Sequence, residues 1–188
     1  MNNFLWRQLR QKRRLFLWLS LLTILLVAID QVTKYLAALY LKRQPLSIAE
    51  GVFSLHYFEN TGTGFGWFAD NTLGITIINF IILFVLLYWI LILPAQKRYR
   101  ILQIVLTFTI AGAIGNMIDR CARGYVIDFF YFELINFPIF NVADIYVTVS
   151  LIVFVLLFLF YYNGEETNRI LTFRPGSRGR RKAGEEKE

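Results

Sequence analysis

Four carboxylates stand where an oil-soluble chain should carry none. Asp30, Asp119, Asp128 and Asp144 lie inside or at the ends of long apolar stretches. An ionisable group at membrane depth is costly and marks a functional site by default. The residues beside them narrow the chemistry. In Gly115-Asn116-Met117-Ile118-Asp119-Arg120, Asn116 and Asp119 are three apart and share a helix face. Arg120 can clamp a carboxylate, a backbone carbonyl or a phosphate with two parallel hydrogen bonds. Asn141 in Phe140-Asn141-Val142-Ala143-Asp144 suits a helix N-cap, with Asp144 in the first turn where the helix dipole favours an anion. Asp128 stands between Ile127 and Phe129, surroundings that disfavour its ionised form. Two carboxyls in unlike surroundings are what aspartyl chemistry requires. One is ionised and takes a proton from water, while the other is protonated and polarises a carbonyl.

Other chemistries lack parts. The single histidine, His56, sits in an aromatic run without a Gly-x-Ser-x-Gly elbow, and reads as structural. One His and one Cys argue against a zinc site. A magnesium ion on two Asp stays open, but no phosphate-cradling glycine loop supports it. Cys121 has arginines at 120 and 123 but no base near it in sequence, and reads as incidental. No cofactor is expected.

The elements that must position these groups are read from hydropathy. The chain has 188 residues, 56% of them hydrophobic and only 18% charged, against roughly a quarter charged in soluble domains. A mean hydropathy of +0.49 excludes disorder for most of the chain, and the lone cysteine excludes a disulfide scaffold. Four stretches approach the roughly 20 residues that cross about 30 Å of hydrocarbon: 15–39, 72–93, 101–118 and 143–162. The first is no cleaved signal, because its apolar block continues through Tyr35-Leu36-Ala37-Ala38-Leu39.

The net charge of +7 points to an anionic membrane surface rather than to nucleic acid, because the basic residues flank the apolar runs. Fifteen of the twenty lie before the first span (Arg7, Arg10, Lys12, Arg13, Arg14), between the second and third (Lys97, Arg98, Arg100), and after the fourth. By the positive-inside rule both termini are cytoplasmic and the loops at 41–71 and 119–142 face outward. All four aspartates then share the outer end. The segment 51–58 alternates and is rich in aromatic and β-branched residues, so it predicts a short strand. With the aromatic stretch 125–140 it predicts a small amphipathic sheet on the outer leaflet. Gly62, Gly64 and Gly66 would let the backbone turn sharply or approach a ligand. The expected fold is thus membrane all-α: four transmembrane helices with a small extracytoplasmic sheet. Residues 1–163 form the helical unit, and 164–188 a basic, disordered cytoplasmic tail.

Two rival functions deserve weight. A proton-relaying transporter needs polar steps through the whole thickness of the bilayer, and this chain has acids at one end only. A membrane scaffold leaves the Asp–Asn clusters without a reason.

Five blocks in order carry a resemblance over essentially the whole chain: Asp30-Gln31-Val32-Thr33-Lys34, Glu59-Asn60-Thr61-Gly62-Thr63-Gly64-Phe65-Gly66, Gly115-Asn116-x-x-Asp119-Arg120, Val126-x-Asp128-Phe129 and Phe140-Asn141-x-Ala143-Asp144. The chain resembles the bacterial lipoprotein signal peptidases of type II. The resemblance implies a membrane aspartyl endopeptidase that cuts prolipoproteins just before the diacylglyceryl-modified cysteine, in the bacterial cytoplasmic membrane with its active site near the outer leaflet. It implies Asp128 and Asp144 as the catalytic pair. Asp30, Asn60, Gly62, Asn116, Asp119, Arg120, Asn141 and Ala143 then line or organise the substrate site. It also implies a block by the antibiotic globomycin, and partners limited to prolipoprotein and membrane lipid, with the enzyme a monomer. One departure is visible: the family's Asn-x-Gly-Ala-Ala-Phe reads Asn60-Thr61-Gly62-Thr63-Gly64-Phe65 here, with two small residues kept.

Overall fold

The architecture is that of a computed structural model, which describes residues 2–62 and 72–172. The loop glycines Gly64 and Gly66, the Thr63–Gly64 departure and the tail from 173 onward lie outside the described residues.

Among the described residues, four helices are long and apolar enough to cross a bilayer. Helix α1 (Asn2–Tyr40) contains no glycine or proline and runs for 39 residues. At 1.5 Å per residue that is about 58 Å, so its basic N-terminal turns extend well beyond the hydrocarbon. Helix α2 (Thr72–Ile92) stops just ahead of Pro94, as the missing N–H of proline requires. Helix α3 (Arg100–Arg123) continues a full turn past the expected 101–118. Asp119 and Arg123 pair along that turn, and Gly124 ends it in the left-handed conformation at φ 81°. Helix α4 (Val142–Leu156) starts at the Asn141 cap and runs into a π-helical turn, Leu157–Tyr161.

Helix α3 is the axis of the bundle and packs against α1, α2 and α4. Over half of its apolar window is buried (56%), against 17% in each of the other three. Those three instead turn side chains such as Trp18, Ile24, Phe84 and Leu151 outward, as lipid-facing helices do. Small residues allow the close approach of α3 to α4: a Cβ on Gly112 would lie 2.6 Å from the carbonyl oxygen of Ala143. One apolar cluster, built on Leu102, Leu106, Ile110, Trp89 and Leu157, fills the end away from the aspartates. A smaller cluster of Ala37, Leu41, Ile127 and Phe129 joins the other end of the bundle to a sheet.

That sheet has three antiparallel strands in the order β1 (Leu46–Ala49), β2 (Phe53–Asn60) and β3 (Val126–Tyr131). The strand expected at 51–58 is therefore present, shifted by two residues. Its register carries chemical consequences, since Phe58 pairs with Asp128 and Asn60 with Val126. The chain then returns so that Phe140 bridges Phe130, with Phe130 N–H donating to the Phe140 carbonyl at 2.8 Å and Phe140 N–H donating back at 3.1 Å. This return delivers Asn141 beside β3.

The first residues of the segment expected to be disordered are helical instead. Residues Gly164–Leu171 form a helix, α5, closed by a capping box in which Asn163 and Glu166 serve each other's backbone N–H groups. Ile170 is buried, its carbonyl accepts from the Trp89 indole at 3.2 Å, and Glu166 receives two hydrogen bonds from Arg98 at 3.0 Å each. The polar composition of 164–168 hides these long-range contacts, which is why it reads as disordered in isolation. Asn163→Ala should destabilise the protein by about 1 kcal/mol, the usual worth of an N-cap. Thermal unfolding in detergent measures this, with activity unchanged because α5 lies at the far end of the bundle.

Candidate active site

Each of the four aspartates arrives on a different element: Asp30 on α1, Asp119 on α3, Asp128 on β3 and Asp144 in the first turn of α4. Asp30, Asp119 and Asp128 are buried at 0%, 0% and 1% exposure, so every one must be paired or protonated. They divide into two layers.

The outer layer lines a cavity of about 460 Å³. Asp128, Asp144, Asn60, Gly62, Asn116 and Arg120 face it, together with the apolar wall Phe137–Phe140 and the α4 residues Ile145, Thr148 and Val149. Asp128 accepts from Asn60 Nδ2 at 2.8 Å on one oxygen and from Asn141 Nδ2 at 2.6 Å on the other. Asp144 is held by the α4 capping box: its Oδ2 accepts from Asn141 N–H at 3.1 Å, while Asn141 Oδ1 accepts from Asp144 N–H at 3.0 Å. Its Oδ1 accepts from Asn116 Nδ2 at 2.8 Å. Asn141 Nδ2 also donates to Asn116 Oδ1 at 3.1 Å. Two asparagine amides therefore link the two carboxylates. Asn60 is itself oriented by its own loop, its Oδ1 accepting from Gly62 N–H at 3.0 Å.

The inner layer lies behind. Asp30 Oδ1 accepts from the backbone N–H of Ala143 at 3.0 Å, tying α1 to the first turn of α4. Lys34, fully buried, stands 2.9 Å from both Asp30 Oδ2 and Asp119 Oδ2. Asp119 also pairs with Arg123 and accepts from Ile127 N–H at 3.4 Å, which anchors β3 to α3. Gln31 Nε2 reaches Asp30 Oδ2 and the Gly115 carbonyl at 3.1 Å each. Two carboxylates and two cations make this layer neutral.

The expectations for individual residues fare unevenly. Asn60, Gly62, Asn116 and Arg120 face the cavity, whereas Asp30, Asp119, Asn141 and Ala143 support it from behind. Arg120 does not clamp the neighbouring carboxylates: its buried Nε has no hydrogen-bond partner among the described residues. Lys34 and Arg123 take that role with Asp119. Lys34 and Gln31, not among the expected site residues, join the buried layer behind the cavity. The signal was present, since Asp30 and Lys34 are four apart in an apolar helix and so meet on one face.

The two carboxyls meet different surroundings, Asp128 on a buried strand and Asp144 in a helix cap. The Asp128 carboxyl is pushed up to about 7, first by burial and then by the charge of Asp144. The two amide hydrogen bonds oppose that rise and do not cancel it.

Known proteins resemble this chain over most of its length. The family model described as Signal peptidase (SPase) II matches residues 22–160. The lipoprotein signal peptidase of Caldanaerobacter subterraneus subsp. tengcongensis is 40% identical over 138 residues, 71% of this chain and 90% of that one. The lipoprotein signal peptidase of Clostridium tetani is 35% identical over 161 residues, 81% of this chain and 98% of its own. A solved bacterial membrane enzyme, determined by the in meso method at 1.9 Å resolution, superposes with a TM-score of 0.64 at 29% identity, covering 77% of this chain and 94% of its own. With four membrane-length helices, a buried acidic site and a match over most of its length, the chain belongs to the signal peptidase II family.

Proposed function

We propose that Asp128 and Asp144 are the catalytic pair with which this membrane peptidase removes the signal peptide from prolipoproteins, cutting before the diacylglyceryl-modified cysteine. One observation carries the reading: both carboxylates open on a single cavity and are linked behind it by the amides of Asn116 and Asn141.

In this scheme Asp128 holds the proton of the pair, consistent with its raised pKa of about 7, and Asp144 is the base. Asp144 takes a proton from water as the oxygen attacks the carbonyl carbon preceding the substrate cysteine. Asp128 gives its proton to the carbonyl oxygen, forming a neutral diol. On collapse the diol returns a proton to Asp128, Asp144 delivers its proton to the departing nitrogen, and the C–N bond breaks. The products are a signal peptide with a free carboxyl and a lipidated cysteine with a free amine. Asn60 and Asn141 hold Asp128 by donating to its oxygens. The apolar wall at 137–140 and the α4 residues Ile145 and Val149 suit a substrate that enters from the lipid.

The remaining assignments follow from charge and chemistry. Basic residues lie at the end of the bundle away from the aspartates, and by the positive-inside rule they support a cytoplasmic position for that end and both termini, with the dyad near the outer leaflet.

The decisive experiment incubates purified protein with a lipidated prolipoprotein and follows the released peptide. Cleavage before the modified cysteine, blocked by globomycin, is expected; intact substrate would end the proposal and leave a transporter or scaffold. The pH dependence adds a sharper check. Catalysis needs the proton of Asp128, so kcat/KM should fall about tenfold per pH unit above about 7. A flat profile between about pH 6 and 9 would remove Asp128 as the proton donor.

A further inference from the structure

Lys34 is completely buried, yet no step of the proposed reaction uses it. An ammonium has three N–H groups, and all three are committed. Two go to Asp30 Oδ2 and Asp119 Oδ2 at 2.9 Å each, which accounts for the charge. The third goes to a neutral acceptor, Asn116 Oδ1, also at 2.9 Å. Charge pairing does not require that third bond, because Asp119 has a second cation in Arg123.

The third bond decides which way Asn116 faces. With its Oδ1 toward Lys34 and Asn141 Nδ2, its Nδ2 must face Asp144 Oδ1, where it donates at 2.8 Å. The flipped amide would set an NH₂ group against the ammonium and against the NH₂ of Asn141, and a carbonyl oxygen against a carboxylate. All three contacts would repel. Asn141 in turn carries the orientation on to Asp128.

We propose that Lys34 is a positioning residue for the catalytic pair: through Asn116 it sets the polarity of the amide bridge that holds Asp144 and Asp128 in register. The inference rests on the dyad reading above. It also explains why the inner layer contains a lysine. A guanidinium spreads its donors over a planar fork and binds carboxylates two bonds at a time, whereas an ammonium aims three bonds from one atom. Arginine at this position would keep the charge and lose the geometry.

Three variants test the role: Lys34→Arg, Lys34→Met, and Lys34→Met combined with Asp119→Asn, which removes one acid with the cation so that Asp30 and Arg123 stay balanced. Each is purified, its thermal unfolding recorded, and kcat and KM measured on a lipidated prolipoprotein. A folded variant should lose about 100-fold in kcat, the usual cost of a small misplacement of catalytic groups, with KM within about twofold of the parent protein. A purely structural role would lower the unfolding temperature and leave kcat per folded molecule intact. Any folded variant within about threefold of parental kcat overturns the proposal. So does failure of all three to fold, since Lys34 would then serve the fold alone. Asp128→Asn in the same assay separates the two readings: if that variant cleaves, the dyad falls rather than the role of Lys34.

Discussion

Asp128→Asn and Asp144→Asn should each reduce turnover of a lipidated prolipoprotein by on the order of 10⁴-fold, because each carboxyl serves in two proton transfers and no neighbour among the described residues can substitute. Asn60, Asn116 and Asn141 are the polar groups bonded directly to the pair, and amides do not exchange protons at neutral pH. Substrate binding should survive, since neither change adds bulk. The two variants differ in stability. A carboxyl whose folded pKa lies near 7 and whose ordinary value is 3.8 favours folding most at low pH, and that contribution is lost as pH rises through about 7. Asp128→Asn removes that titration, so its unfolding temperature should vary less between about pH 5 and 8 than that of the parent protein. Measured turnover in both variants, at a rate within tenfold of the parent, would defeat the assignment.

The second large effect is expected at a residue with no side chain. Gly115 faces Asp30 across the contact between α1 and α3: a Cβ there would lie 2.4 Å from Asp30 Oδ2 and 3.0 Å from its Cγ. Asp30 cannot step aside cheaply, because Lys34, Gln31 and the Ala143 N–H all hold it. Gly115→Ala must therefore either part α1 from α3 or break the buried ion pair. Overpacking costs about 1–3 kcal/mol and losing a buried pair about 3–5, so a loss of about 3 kcal/mol is expected. In a chain of this size that corresponds to about 10 °C in unfolding temperature. Activity should fall with it, since Asp30 fixes the first turn of α4, which carries Asp144. Gly164→Ala is the control: nothing lies within 4 Å of a Cβ there, and it should change neither quantity.

Both predictions use contacts of very different legibility. The sequence by itself determined the spans, because apolar runs of membrane length have few alternative fates in water or lipid. It determined that Asn141 caps α4 and that Asp144 lies in the first turn, since capping is decided within four residues. It determined that Asp128 would be hard to ionise, from its two apolar neighbours. Ordered motifs pointed to the family. The tertiary structure alone decided how the acids divide. Asp128 and Asp144 share a cavity, while Asp30 and Asp119 share a lysine, and which acids meet is not set by any one acid's neighbours along the chain. The same holds for the pairing of Asn60 with Asp128, which depends on strand register across 68 residues, and for α5, whose polar sequence gains its order only from Trp89 and Arg98 on other helices. Hydropathy and capping are properties of neighbours along the chain. Charge pairing in a low-dielectric interior depends on which groups come within about 4 Å, and only the packed bundle sets those distances.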